Sequence, residues 1–547
     1  MSKRKVLLCI FDALICLACF AIALFFGRLS FGALCCLCVF SARLAYRLAR
    51  RPAVGKSECQ VSIAIVGTGD VGVSLAREIL DNPASRCRPV CFFEPSQSSE
   101  EKRTLCGLPV YGSDADVTEL TGRLKIDEIA IALPNPNGEN KAKLYSAYRD
   151  TGCKIKIYDF PVSKSGAAVK KRSLRDISIE ELIFRDSTQI ANKLSEDYYK
   201  GKTVLVTGGG GSVGSELCRR IAKLSPGMLA IFDIYENNAY DIEQELRRTY
   251  GEALELKVYI GSVCDAARLD EVLAEVKPDI VFHAAAYKHV PYMEMCPAEA
   301  VKNNIFGTYN TVCAAERHKV AKFVLISTDK AVNPTGVMGA TKRFCEMIVC
   351  SRSGSATHFA AVRFGNVIGS NGSVVPLFKK QIENGGPVTV TDKRVVRYFM
   401  TIPEAAELVL EAGAMAHHGE LYVLEMGKPV KIWDLAVNMI KLAGLEVGRD
   451  IEIKEIGLRP GEKLYEELLV KSEHITKTDN SLIFIEKNTP LHKDDVEMLL
   501  NKLRGAVELG NEAVVRTLKE AIPTFVSPEE VNRNAESTIR EELDVAL

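Results

Sequence analysis

The sequence predicts an α/β chain whose main body is a doubly wound parallel sheet, and three observations carry that expectation. Apolar runs of strand length alternate repeatedly with amphipathic helical stretches from Lys202 onward. Two glycine-rich turns, Gly67–Gly72 and Gly208–Gly214, each carry a strand into a helix. A polar cluster, Thr328, Asp329 and Lys330, follows the apolar run Lys322–Ile326, at the carboxyl end of a strand where such sheets bind their ligands.

The totals set the frame. At 547 residues the chain exceeds one core and must divide into domains. The 70 basic and 70 acidic residues cancel, so overall charge gives no reason to expect nucleic acid, and any anion must be bound locally. Of 17 cysteines, six fall in the apolar first forty residues and the others lack paired zinc spacing. Free thiols in a reducing compartment, with no metal site, are expected. Val6 to Phe26 is apolar apart from Asp12, and a second apolar run extends from Leu29 to Leu48. Both are long enough to cross a bilayer. Lys3, Arg4 and Lys5 before the first run, and Arg43, Arg47, Arg50 and Arg51 around the end of the second, put both ends in the cytoplasm. A transmembrane hairpin over 1–51 is therefore expected, in the inner membrane, with the remaining chain facing the cytoplasm. A cleaved signal peptide fits less well, because the first run is long, has no clear small-residue cleavage site and is followed by another apolar run.

A first Rossmann-like domain is expected over 60–165. Gly67, Gly69 and Gly72 permit a tight turn at a helix amino terminus, the next strand ends at Glu94, and Glu128–Leu133 and Lys154–Tyr158 read as later strands. No catalytic cluster follows these strands, so a packing or regulatory unit and a true cofactor site both stay open. Residues 166–200 read as a linker with a short helix near Ile179–Phe184.

The second turn is better furnished. Gly208, Gly211 and Gly214, with Ser212 and Val213 between them, bend the chain and aim backbone amides at a dinucleotide pyrophosphate. The next strand ends at Asp233, whose carboxylate suits ribose hydroxyls; no Arg follows immediately, which favours NAD over NADP. A strand from Glu255 leads to Asp265, and the strand at Asp279 runs into small residues, Ala284, Ala285 and Ala286, that leave room for a cofactor. A helix Ala298–His318 then leads to the strand before Thr328. Met338 and Lys342, four residues apart on a helix, point the same way.

Four stretches carry a family resemblance: Thr207–Glu216, His283–Pro291, Ser327–Pro334 and Leu458–Lys463. They resemble the extended short-chain dehydrogenase/reductases, and among those the membrane-bound nucleoside-diphosphate-sugar 4,6-dehydratases and epimerases of the CapD-like polysaccharide-biosynthesis group. The likeness spans nearly the whole chain. It implies an extended catalytic domain over 201–485, including a smaller substrate-binding part, and a helical tail over 486–547. Members carry about four membrane helices where two are counted here. The wider superfamily has Tyr at the position of Met338, although the membrane-bound branch often has Met there.

The resemblance implies the chemistry. A sugar 4,6-dehydratase oxidises carbon 4, removes the carbon 5 proton, expels the carbon 6 hydroxyl as water and returns hydride to carbon 6. It implies NAD, held by Gly208, Gly211, Ser212, Val213, Gly214, Asp233, Asp265, Ala284, Ala285 and Lys342. It implies a UDP-sugar, UDP-N-acetylglucosamine above all, held by Tyr287, Lys288, Asn366, Arg397, Arg459 and Glu462. The catalytic set would be Thr328, Asp329, Lys330, Met338 and Lys342: a neutral Lys330 as base, a protonated Asp329 as acid and Thr328 at the carbon 4 oxygen. Met338 cannot move a proton, so Asp329 or a water held by Thr328 must deprotonate the carbon 4 hydroxyl. A 4-epimerase, a carbon-5-inverting dehydratase and a non-catalytic nucleotide-sugar or NAD sensor are the competing readings. The expected partners are the UDP-sugar, the membrane and further copies of the chain, and not nucleic acid.

Overall fold

The computed structural model describes residues 61–82, 85–96, 103–133, 144–145, 147–159, 173–176, 193–417, 419–467, 475–486 and 492–533. The expected hairpin at 1–51 and the connector helix near 179–184 lie outside these residues. The expectation of N-terminal transmembrane helices is corrected: among the described residues no helix is long and apolar enough to cross a membrane. The 17-residue helix Lys493–Leu509 carries acidic and basic side chains along its length, whereas a span requires about 20 predominantly apolar residues. The inner-membrane placement, which rested on the hairpin, is withdrawn with it.

The first unit is a seven-stranded sheet built from β1 (Val61–Val66), β2 (Cys87–Phe93), β3 (Arg103–Leu105), β4 (Leu108–Tyr111), β5 (Glu128–Ile131), β6 (Lys154–Asp159) and β7 (Ser173–Asp176), in the order β3-β4-β2-β1-β5-β6-β7. Strand order reverses between β1 and β5, and Gly67 sits at that point with φ +109°. A Cβ at position 72 would lie 2.0 Å from the Gly67 carbonyl oxygen, so only glycine lets the following helix pack so close. Glu94, just past the end of β2, is engaged by its own chain, accepting hydrogen bonds from Thr68 and Ser96.

The second unit follows the same logic on a larger scale. Its strands β8 (Thr203–Thr207), β9 (Met228–Asp233), β10 (Leu256–Ile260), β11 (Ile280–His283), β12 (Lys322–Ile326) and β13 (His358–Arg363) pair in the order β10-β9-β8-β11-β12-β13, then continue through Glu420–Leu424, Ile483–Glu486 and Ile475–Lys477. Pairing is parallel as far as Glu420–Leu424, and the last two strands are antiparallel. Strand alternation divides the core between the two faces: Val204 and Val206 pack with Leu217 and Ile221, while Leu205 packs with Leu269 and Val272. Each such fully buried side chain contributes about 1.5–3 kcal/mol. The order reverses between β8 and β11, which opens the crevice that holds the site.

Three further features position that site. The helix expected over Ala298–His318 is interrupted: Pro297–Ala300 and Gly307–Arg317 are α-helical, but Val301–Phe306 widens into a π turn. The strand β13 ends in a wholly buried Arg363, which reaches Glu346 at 2.8 Å and Glu486 at 2.5 Å, and Glu346 in turn accepts a 2.6 Å bond from Ser327. The smaller part, with helices Val374–Glu383 and Ile432–Leu442 and short strand pairs, covers the crevice with Leu377, Phe378 and Ile432. Its helix Ile432–Leu442 also meets the first unit: Leu442 packs on that unit's core, and Lys441 pairs with Asp150 at 2.5 Å.

Candidate active site

The dinucleotide end is built by backbone. After β8 the chain turns at Gly208 with φ +68°, where a Cβ would lie 2.7 Å from the Ala285 nitrogen. Glycine there lets the turn press against the end of β11. At position 214 a Cβ would lie 2.1 Å from the Gly208 oxygen, so a side chain would push the helix Ser212–Lys223 off the turn. Asp233, at the end of β9, accepts the amides of Gly210 at 2.8 Å and Tyr235 at 2.9 Å. Each of its oxygens keeps capacity for a ribose hydroxyl. The cradle therefore fits NAD: Gly208, Gly211, Ser212, Val213, Gly214 and Ala284 line the crevice, with Asp233 bonded to the Gly210 amide and the backbone of Ala285 against Gly208. Asp265 is not brought there. It is exposed and caps the helix Ala266–Val276 by accepting the Arg268 amide at 3.0 Å.

The reacting end lies where β12 leaves the sheet. The helix Val337–Cys350 starts at Gly336, its first amide bonded to Glu294 at 2.5 Å, and carries Met338 and Lys342 one turn apart on the cavity wall. Lys342 donates to the Ile326 carbonyl at 2.6 Å, and burial pushes its ammonium below the ordinary lysine value. His283 is wholly buried behind it, within 2.8 Å of the Thr207 hydroxyl and 3.0 Å of that of Thr308. Burial first, then the Lys342 charge, lowers its pKa to about 3, so this histidine is neutral.

Thr328, Asp329 and Lys330 form one hydrogen-bonded cluster. Thr328 Oγ1 donates to Asp329 Oδ1 at 2.8 Å, and Lys330 Nζ donates to the same oxygen at 2.9 Å and to Asn366 Oδ1 at 3.3 Å. Thr328 and Lys330 line the cavity; Asp329 is fully buried and stands behind them, its Oδ2 without a hydrogen-bond partner among the described residues. The charge on Lys330 differs from expectation. Burial works against its ammonium, but Asp329 and Glu466, the latter 3.5 Å away, outweigh burial and raise its pKa. The lysine is charged, because the opposite charges around it are nearer than the sequence revealed.

The far end of the crevice gathers the remaining residues. Arg397 donates to the carbonyls of Val396 at 2.8 Å, Leu464 at 3.2 Å and Lys463 at 2.8 Å, and pairs with Glu462 at 3.4 Å. Glu462 also accepts the Arg459 amide at 3.1 Å, so it sets the two arginines beside each other. Tyr287 and Lys288 stand opposite. The Tyr287 backbone is clamped at both groups by Asn304, at 2.8 and 3.0 Å, which the π turn directs toward the end of the sheet. Together these residues enclose a crevice of about 890 Å³ that runs from Gly208 to Arg459, with an adjoining recess of about 230 Å³ beside Lys330. Sequence reasoning missed Asn304 and Glu466. The signal for Glu466 was an acid four residues after Glu462, just beyond Arg-Pro-Gly-Glu-Lys; Asn304 left only an asparagine inside a helical stretch.

A doubly wound sheet with a glycine turn on one side of a Thr-Asp-Lys cluster and paired arginines on the other defines an extended short-chain dehydrogenase/reductase. Comparison with known proteins agrees. Residues 204–488 match the family model described as polysaccharide biosynthesis protein, and residues 3–158 match one described as a CoA-binding domain. The chain is 42% identical over 471 residues to capsular polysaccharide biosynthesis protein CapD of Staphylococcus aureus, covering 85% of this chain and 78% of that one. It is 44% identical over 427 residues to the probable polysaccharide biosynthesis protein EpsC of Bacillus subtilis, covering 77% and 70%. The X-ray structure of Pen from Bacillus thuringiensis is 34% identical and matches with a TM-score of 0.49 over 56% of this chain and 98% of Pen. The chain belongs to the polysaccharide biosynthesis protein family, as a CapD-like enzyme of the sugar dehydratase and epimerase type.

Proposed function

We propose that the protein is an NAD-dependent UDP-N-acetylglucosamine 4,6-dehydratase serving cell-surface polysaccharide or glycan synthesis. The observation that carries this reading is the placement of Thr328 and Lys330 in one crevice between the dinucleotide turn and Arg397 with Arg459. NAD bound at the turn would accept hydride from carbon 4 and return it at carbon 6. The chain's residues supply the proton movements. Thr328 Oγ1 takes the proton of the carbon 4 hydroxyl as it passes its own to Asp329 Oδ1, along the 2.8 Å bond between them. Lys330 then gives a proton to the departing carbon 6 oxygen, which leaves as water, and collects the carbon 5 proton; as hydride returns to carbon 6, Lys330 gives carbon 5 a proton and is recharged by the one held on Asp329, along the 2.9 Å bond between them, so both groups end as they began. This alters the roles implied by resemblance: Asp329, out of the cavity, acts through Thr328 and Lys330, and the ammonium of Lys330 serves as the acid. Arg397 and Arg459 suit the diphosphate through forked donors.

Incubation of the enzyme with UDP-N-acetylglucosamine and NAD should give a product lighter by one water, with solvent deuterium at carbon 5. Its configuration there separates a retaining from an inverting dehydratase. A product of unchanged mass would replace this reading with an epimerase, and no turnover of any UDP-sugar would favour a sensor.

A further inference from the structure

Lys330 is gripped by two carboxylates from separate parts of the chain. Asp329 is its neighbour in sequence, whereas Glu466 belongs to the segment that follows Arg459 and Glu462. Glu466 is 3% exposed. One of its oxygens lies 3.5 Å from Lys330 Nζ and 3.7 Å from Arg397 Nε. Its other oxygen has no hydrogen-bond partner among the described residues, although the side chain borders the recess beside Lys330. Withdrawing a carboxylate from water costs several kcal/mol unless cations close by offset it. Lys463, the third cation near it, is turned to the Val332 carbonyl at 2.9 Å and to Glu467 at 3.3 Å, which leaves Lys330 and Arg397 as the principal partners.

We propose that Glu466 is a positioning residue for Lys330: it holds the lysine ammonium at the cavity wall opposite Asp329 and keeps it charged for proton delivery. The proposal rests on the reading of Lys330 given above. The groups facing Lys330 are Thr328 and Asp329 from its own turn, Asn366 from the strand after β13, and Glu466 and Arg397 from the smaller part, with Lys288, His289, Arg459, Glu462 and Lys463 around the recess. Glu466 is the carboxylate whose removal leaves Asp329 alone against Arg397. A Glu466→Gln change therefore lowers the pH at which Lys330 loses its proton, and the alkaline limb of kcat moves down with it. KM should change much less, because Arg397 keeps three carbonyl acceptors and Glu462.

The test uses the full chain with Glu466→Gln and Glu466→Asp. Lysine-13Cε NMR, with the Lys330 signal assigned by its absence in Lys330→Arg, reads the titration directly, and kcat against pH reads its effect on turnover. In the folded Gln variant the Lys330 midpoint should fall by about one pH unit or more. Its kcat should begin to decline at a lower pH than that of the parent, by the same shift as the midpoint, while KM stays within about threefold. Asp keeps the charge one methylene farther back and should restore most of the midpoint; if the Gln variant does not fold, a smaller downward shift in the Asp variant supports the proposal in its place. An unmoved midpoint in the variant read overturns the proposal. If the parent dehydrates no UDP-sugar, the dehydratase reading falls, and the NMR titration still decides whether Glu466 governs Lys330.

Discussion

At the scale of single residues the chemistry narrows to one side chain. Lys330 is the amine that both lines the crevice and touches Asp329, so on the proposed mechanism its loss removes the acid and the base together. Lys330→Ala should lower kcat by about 10²–10⁴-fold, with dinucleotide binding retained, as measured by water loss and by NAD titration. Near wild-type turnover would show that another group moves these protons. Met338, which has only a weakly accepting thioether, serves as cavity wall. The membership of this cluster could be read from Ser-Thr-Asp-Lys after an apolar strand, but its charge could not. Whether a buried lysine is neutral depends on what faces it, and Glu466 approaches from a part of the chain that no local pattern connects to Lys330. Asp265 failed for the opposite reason: its local use, accepting the Arg268 amide as a helix cap, was sufficient in itself.

At the scale of elements, strand, turn and helix from Thr203 to Lys223 form the part whose function depends most directly on backbone shape. Glycine spacing declared this part in the sequence because steric exclusion is local: the turn brings position 214 against the Gly208 carbonyl whatever the remaining fold does. Gly214→Ala would place a methyl 2.1 Å from that oxygen. Moving the helix aside costs roughly 1–3 kcal/mol, so NAD should bind about 10–100-fold more weakly in calorimetric titration, with the far-ultraviolet spectrum unchanged. Unaltered affinity would mean that the helix does not need to meet the turn. The π turn at Val301–Phe306 was invisible for a related reason. One widened turn leaves the hydrophobic rhythm on both sides intact, and only the clamp of Asn304 on Tyr287 shows its purpose.

At the scale of the whole molecule, buried ionisable groups make stability depend on acid. His283, at about 3 in the folded chain against an ordinary 6.5, contributes stability that is complete above about pH 6.5 and is lost as pH falls toward about 3. For Glu346, burial pushes the carboxyl up, but Arg363 with Arg343 and Ser327 brings it down from an ordinary 4.5 to about 2, so its contribution fades below about pH 4.5. Denaturant melts should therefore show stability falling from about pH 6.5 downward and more steeply below about pH 4.5. His283→Asn should flatten the upper part of that fall; a flat wild-type profile from about pH 6.5 to about pH 4.5 would contradict the His283 assignment, and no steepening below about pH 4.5 would contradict that of Glu346. Both sheets were legible from the alternation of apolar runs and helices. The contact between them through Ile432–Leu442 was not, since it depends on surfaces rather than periods.

The ion cluster beneath β13 has one more consequence. Ser327 is bonded by its hydroxyl to Glu346 and by its amide to the Val362 carbonyl at 2.7 Å, and the amide of Asp329 reaches the Phe364 carbonyl at 3.0 Å. The reactive stretch is thus fastened through Glu346 and Arg363 as far as Glu486 on a distant strand. It cannot fray by itself. Local melting there would require breaking central-sheet pairing, so the residues proposed to handle the sugar belong to the last cooperative unit to open, and any breathing that admits a ligand must come from the covering part across the crevice.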